Sequence, residues 1–278
     1  MKRSTFRAMG TEVVAVGSDV AGVPGAFAEA ERVFSRFDAA SELSLLNRSP
    51  EREVEVSDTL AACLTAAADM QRRTGGLVDP AVGNAVAGWG YDRTIELVRH
   101  STRPATRSDL GTWSVTGNLV RRHPGIKLDL GGIAKGWTSD LVVTNGDAAV
   151  VSAGGDVRSN LAETVVTIAD PWGHKAAEVV LGVGGLATSS SMRRRWRVGG
   201  EEAHHIIDPR RMAPAASPVL SATATAETAA EAEAGAKAVL LRGEDGLAWA
   251  EQQDWIRAAL AIWHDGSVYA TTGWEMAA

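Results

Sequence analysis

The sequence has a single cysteine, Cys63, in 278 residues, so it can hold no internal disulfide and no cysteine-cluster metal site. On a helical apolar stripe such a thiol serves as a small hydrophobic filler. Lysine is scarce: Lys2, Lys127, Lys135, Lys175 and Lys237 are the whole complement, against many arginines. No stretch approaches the roughly 18 uninterrupted apolar residues of a membrane-spanning helix. The opening MKRSTFRAMGTEVVAVG lacks the apolar middle region of a secretory signal, and the sequence predicts a cytoplasmic, membrane-free protein. A formal charge of −6 gives no basic field for nonspecific contact with nucleic acid or anionic lipid. No Walker motif, GxGxxG fingerprint or internal repeat is present. Any phosphate ligand must therefore be held by local groups.

What is present is a folding composition, 45% hydrophobic and 22% charged. Residues 5–17 alternate as a strand. Phe27, Ala30, Val33, Phe34 and Phe37 then recur at helical spacing within 23–39. Ser57 caps a second helix, whose stripe of Leu60, Cys63, Leu64, Ala67 and Met70 stops at Gly75. Thr116-Gly117-Asn118 turns a hairpin within 112–128, and 133–146 reads as a short helix. AVVSAGG, TVVTIAD and AEVVLGV read as strands of one sheet. An alanine-rich helix over 227–241, a short helix in GLAWAEQQ and a closing hairpin around Asp265-Gly266 follow. The order is mixed, so the predicted class is α+β, with mixed sheets and packed helices in a single domain, 1–278.

Three segments could carry chemistry. Glycine pairs at 75–76, 131–132, 154–155 and 184–185 fall at junctions where backbone N–H groups can approach a phosphate, although tight turns also use such pairs. In LDLGGIAKG, Asp129 ends a strand, Gly131-Gly132 turn, and Lys135 opens a helix. That arrangement suits a nucleotide phosphate, or else is a capped helix with a solvated lysine. In HHIIDPRRMAP, an extended backbone would aim His205 and Ile207 to one face and His204 and Ile206 to the other, so one histidine can face a site.

Eight segments in order, running over nearly the whole chain, resemble the ApbE family of FAD:protein FMN transferases. They are Met9-Gly10-Thr11; Ser41-Glu42-Leu43-Ser44 with Asn47; TGGLVDPAVG with Trp89-Gly90; DLGGIAKGW with Asp140; SAGGDVR; ATSSS; HHIIDP; and the alanine-rich SATATAETAAEAEAGAKAVLL stretch. The resemblance implies an FAD cleft between sheet and helical parts. Around it would lie Met9, the Ser41–Asn47 loop with Glu42, Asp79, Asp129, Lys135, Gly155, Asp156, Thr188, Ser189, His205 and Asp208. It also implies attack by a Thr or Ser hydroxyl of an acceptor protein on the FMN-side phosphorus, with AMP leaving. His205 would be the proton acceptor and Asp208 a catalytic neighbour.

The departures from the family pattern concern the cation. The resemblance implies magnesium held by the carbonyl at Gly132 and by an Asp and a Thr on the alanine-rich helix, but those two positions here are Glu233 and Lys237. Glu233 can ligate a hard cation; an ammonium has no acceptor. Either Lys237 places its charge where the metal would sit, joining the catalytic set, or Glu233 and Lys237 form an ordinary i,i+4 pair. Ser190, Ser191 and Met192 and the Arg210-Arg211-Met212 loop also depart from the pattern. Arg193, Arg194, Arg195 and Arg197 form either a solvated strand face or a surface for the adenosine phosphate or an acidic partner. Two other outcomes fit the same residues: an FAD pyrophosphatase giving FMN and AMP, and a non-catalytic flavin-binding protein.

Overall fold

The structure is a computed structural model and describes residues 1–98 and 100–274. Its helices are α1 (Val23–Phe34), α2 (Glu42–Arg48), α3 (Asp58–Arg73), α4 (Gly83–Gly88), α5 (Ala134–Thr144), α6 (Ala229–Arg242) and α7 (Gly246–Glu251). With antiparallel sheets beside them, the class is α+β. The chain folds into two compact units, one made of residues 1–28, 133–190 and 217–278, the other of 29–132 and 191–216.

The first unit is built on an eight-stranded sheet whose spatial order follows the chain: Lys2–Ala8, Thr11–Gly17, Val150–Ala153, Asp156–Ser159, Gly184–Ser190, Val219–Ala226, Ile256–Trp263 and Val268–Ala270. Every adjacent pair is antiparallel. The first hairpin turns through Met9 and Gly10, both at positive φ, as a type I′ turn requires. Alanine and glycine let α6 lie close on the sheet: Ala187, Ala226 and Ala232 pack together, and a Cβ on Gly185 would strike the backbone at Thr228 and Ala229. A Cβ on Gly136 of α5 would meet the Ala229 carbonyl carbon at 2.8 Å, so the approach of α5 to α6 also depends on a missing side chain. Thr228 and Glu231 form a capping box at the start of α6, worth about 1 kcal/mol. The opposite sheet face buries Leu186, Leu260 and Ile262 with Ile168 and Val179, each worth about 1.5–3 kcal/mol.

The second unit packs Val86, Trp89, Tyr91, Trp196, Val198 and Ile207 into one core. Trp196 Nε1 donates to the Trp89 carbonyl at 2.6 Å, and Trp89 Nε1 donates to the Met212 carbonyl at 3.0 Å, so both buried indoles are satisfied. Here too lie a three-stranded sheet of Glu53–Glu55, Leu119–Arg122 and Trp113–Thr116 and the hairpin Arg195–Val198/Glu201–His204.

Several expectations need correction. The Ser41–Asn47 segment is helical, because Ser41 caps α2 by accepting from Ser44 N at 3.1 Å. Helix α1 ends at Phe34, which leaves Phe37 outside its stripe. Residues 164–169 and 175–181 pair only with each other, as a two-stranded sheet of their own, while 150–153 joins the large sheet. Asp129 does not end a strand; the chain from His123 to Leu130 carries no strand. The segment 204–208 is not continuously extended either: a bend at His205 separates two strands, and Ile206 and Ile207 are both buried.

Candidate functional site

The first unit carries Met9, Lys135, Gly155, Asp156, Thr188, Ser189, Glu233 and Lys237. The second carries Ser41, Glu42, Asn47, Asp79, Asp129, Gly132, His205 and Asp208.

In the first unit three distant segments meet at one charge. The Gly154-Gly155 turn, with φ of 66° and 108°, starts a strand on Asp156; α5 brings Lys135 in its first turn; α6 brings Glu233. Lys135 Nζ lies 2.9 Å from Asp156 Oδ2 and 2.7 Å from Glu233 Oε1. The other Glu233 oxygen accepts from Gly136 N at 3.4 Å. Burial would depress the Lys135 ammonium, but the carboxylates of Asp156 and Glu233 outweigh it and hold the lysine above its ordinary value. Burial pushes Asp156 up, opposed by Lys135, reinforced by the Glu233 charge and opposed again by Lys237. Lys237 sits one turn beyond Glu233 and is half-buried, so the set holds two ammonium groups against two carboxylates. Thr188 Oγ1 lies 2.9 Å from Thr223 Oγ1 at a paired position of the sheet. Met9 packs against the core formed by Val13, Phe27 and Val151.

In the second unit several predicted side chains are committed to the fold itself. Asn47 donates to the Leu128 carbonyl at 2.8 Å and accepts from Leu128 N at 2.7 Å, so its amide fastens the strandless segment to α2. Asp129 accepts from Gly131 N at 2.7 Å, which shapes the glycine turn ending at Gly132, and pairs with Arg36 Nε at 2.7 Å. Glu42 accepts from both Ser57 N and Ser57 Oγ at 2.6 Å, which ties α2 to the cap of α3. Asp79 accepts from Gln71, Ala81 N and the Trp113 indole at 2.5, 2.8 and 3.0 Å. Asp208 grips Arg210, Oδ2 to Nη2 at 2.8 Å.

The two adjacent histidines differ sharply. His204 is buried; its Nδ1 accepts from Ile206 N at 3.3 Å, so the proton sits on Nε2, which donates to the Ala215 carbonyl at 3.1 Å. His205 is half-buried, at the bend that follows. Burial lowers the His204 pKa below its usual value, so the unfolded chain binds a proton there that the folded one refuses. Its stability contribution is full above about pH 6.5 and is lost as pH falls toward the folded value. Urea titrations from pH 7.5 downward should show this loss, with a slope of at most about 1.4 kcal/mol per pH unit, and His204→Gln should flatten it. An unchanged slope in the variant would remove His204 as its source.

A family model described as the ApbE family matches residues 9–260, which takes in every residue named above as a candidate. The chain belongs to the ApbE family. It is 34% identical over 253 residues to the FAD:protein FMN transferase of Rhodobacter capsulatus, covering 84% of this chain and 48% of that protein. It is 32% identical over 246 residues to the protein of the same name from Treponema pallidum, covering 77% and 68%. The chain thus spans about half the length of the first relative and about two thirds of the second. The apbe protein of Thermotoga maritima has the same fold, with a TM-score of 0.81 at 26% identity over 98% of this chain and 97% of that one. The flavin transferase ApbE from Vibrio cholerae matches in fold at a TM-score of 0.77 and 22% identity, covering 98% and 97%.

Sequence reasoning on this ApbE chain missed Arg36, whose guanidinium also donates to the Tyr91 carbonyl at 2.5 Å and stacks 4.0 Å from the Phe37 ring centroid. Only a contact across the fold could have shown it. Asp140, noted in the motif without a role, accepts from Ala229 N and Ala230 N at 2.8 and 3.0 Å and pairs with Arg158, placing a carboxylate at the positive end of α6. The side chains at the expected cation position do not suit magnesium, which wants oxygen ligands in near-octahedral geometry. Glu233 Oε1 is bound to the Lys135 ammonium, and Lys237 has no lone pair to give. Among the described residues no group of three or more His, Cys, Asp or Glu side chains could hold a metal ion, and no helix is long and apolar enough to cross a membrane.

Proposed function

We propose that the chain transfers FMN from FAD to a Thr or Ser hydroxyl of an acceptor protein and releases AMP. The observation that carries this reading is the match over residues 9–260 to a family whose similar members bear the name FAD:protein FMN transferase. In the reaction, the acceptor oxygen bonds to the FMN-side phosphorus, the bond from that phosphorus to the bridging oxygen breaks, and the bridging oxygen leaves with AMP. The hydroxyl proton passes to His205, whose partial exposure at a bend contrasts with the locked His204. Neutral imidazole is suited to that transfer near pH 7. Met9, the Gly155 turn, Thr188 and Ser189 are proposed to contact the flavin nucleotide directly. Ser41, Glu42, Asn47, Asp79, Asp129 and Asp208, with their side chains bonded internally, shape the segments that receive it.

The positive charge that the pyrophosphate requires comes, in this reading, from Lys237. It supplies a fixed ammonium one turn from the Lys135–Asp156–Glu233 set. Product mass spectrometry after mixing protein, FAD and acceptor should show FMN-labelled acceptor and AMP. FMN and AMP without labelled acceptor would instead give a pyrophosphatase, and an unconsumed FAD signal a binding protein. Turnover should survive EDTA, and Lys237→Thr should lower it at least about tenfold, the loss expected from removing one charge-assisted contact of about 1.5–3 kcal/mol. If EDTA abolishes turnover and magnesium restores it, the ammonium is not the cation and the Lys237 reading fails.

A further inference from the structure

An arginine-rich hairpin leads directly into His205. On the strand Arg195–Val198, Trp196 and Val198 are buried while Arg195 and Arg197 are exposed, because alternate side chains of a strand face opposite ways. The register pairs Arg195 with His204, so the Met192–Arg195 end of the hairpin and the His205 bend lie at the same end. Arg193 adds a further exposed guanidinium and Arg194 a half-buried one, held at a φ of 51°. The negative groups on this hairpin are Glu201 and Glu202, and Glu202 pairs with Arg195. Arg197 donates to the Gly200 carbonyl at 3.2 Å and lies opposite Glu202 in the register, so Glu202 serves two arginines. Four arginines against two glutamates therefore form a positive face on a chain whose net charge is −6.

We propose that this face docks the acceptor protein through an acidic segment beside its flavinylated Thr or Ser. The inference rests on the transferase reading and deepens it. Carboxylates complement planar guanidiniums, and opposite charge at a rim steers encounter and sets partner choice. The face belongs to the same short stretch as the proposed proton acceptor, so an acidic segment bound there brings its neighbouring hydroxyl toward His205. The net charge of −6 means that the rest of the chain carries an excess of negative charge, so the hairpin is a favoured landing point for such a segment.

The test uses two fluorescein-labelled peptides of equal length, one with a central Thr flanked by aspartates and one with the same Thr flanked by asparagines. Anisotropy titrations with the FAD-loaded full chain should show the acidic peptide binding about tenfold tighter at low salt. The difference should shrink as ionic strength rises to about 0.5 M. R193E/R197E should abolish the preference and leave the FAD dissociation constant unchanged, and R193Q/R197Q, a milder change, should reduce it. Equal binding of the two peptides, a preference that survives R193E/R197E, or a loss of FAD affinity in that variant would each overturn the proposal. The last result would give the guanidiniums to the nucleotide phosphates. FAD cleavage, followed in parallel by AMP release, reports on the transferase reading separately, because peptide binding is read without turnover.

Discussion

His205→Ala should abolish FMN transfer while FAD still binds within about tenfold of the parent affinity. A positioned proton acceptor acts on the barrier and contributes typically about 10²–10⁴-fold to rate, whereas in the proposed site its imidazole would be one of many contacts with the nucleotide. The paired control is His204→Gln, which changes the neighbouring residue and a buried hydrogen bond to Ala215 without touching the proposed proton path. The two variants should therefore separate: His205→Ala loses rate with little change in unfolding midpoint, and His204→Gln loses stability with transfer largely kept. Single-turnover labelling of the acceptor and isothermal titration with FAD measure the two quantities. Parent-like turnover in His205→Ala would strip that residue of its role.

Removing the ammonium at position 135 should have the largest effect on stability. Lys135→Met leaves Asp156 and Glu233 facing each other in the interior with no cation between them. Breaking a buried pair by deleting one partner typically costs about 3–5 kcal/mol, far more than the roughly 0–1 kcal/mol of a surface ion pair. The pH dependence has a definite sign. In the parent, the Lys135 pKa is held above normal, so its contribution is full below the unfolded value near 10.4 and disappears only as pH climbs past the folded one. In the variant, the two carboxylates ionise with difficulty, so the folded state holds protons that the unfolded state releases. The deficit should therefore grow as pH rises from about 4 to about 7. Urea unfolding across that range checks both statements, and adding Glu233→Gln should recover part of the loss. A deficit below about 1 kcal/mol at pH 7 would mean that the three groups are not coupled as described.

Local chemistry was legible along the chain. Ser57 capped α3 where a serine before an apolar stripe should, accepting from Leu60 N at 3.2 Å, and Gly75 with a φ of 65° lies just beyond the helix end. Thr116 and Asn118 flank Gly117, whose φ of 55° turns the hairpin between Trp113–Thr116 and Leu119–Arg122. These features need only a few neighbouring residues. Helix α2 was not legible, because Ser41 also hydrogen-bonds to the Ser35 carbonyl and the segment buries Leu43 and Leu46; tertiary burial turned an apparent loop into a helix. The strand Val219–Ala226 escaped a pattern reading for a related reason. It is buried at every position, so no alternation of buried and exposed residues marks it, and the strand-favouring Val219, Thr223 and Thr225 are diluted by three alanines, which strands disfavour.

By itself the sequence determined the α+β class, the positions of the capped helices and tight turns, and membership of the ApbE family, since each depends on residues close together or on motifs in a set order. It could also exclude disulfides and cysteine metal clusters by counting. Only the tertiary structure decided what the charged residues do. Lys135, Asp156 and Glu233 lie on three separate elements, and the ion set they form exists because Gly136 and Gly185, lacking side chains, let α6 settle against α5 and the sheet. Asn47, Asp79 and Asp208 are named by the motifs, and the fold shows that each also makes hydrogen bonds or an ion pair inside the chain, which no motif reveals. A motif names the side chain that is present, whereas its free valences depend on the backbone N–H groups, carbonyls and guanidiniums that distant parts of the chain bring within 3 Å.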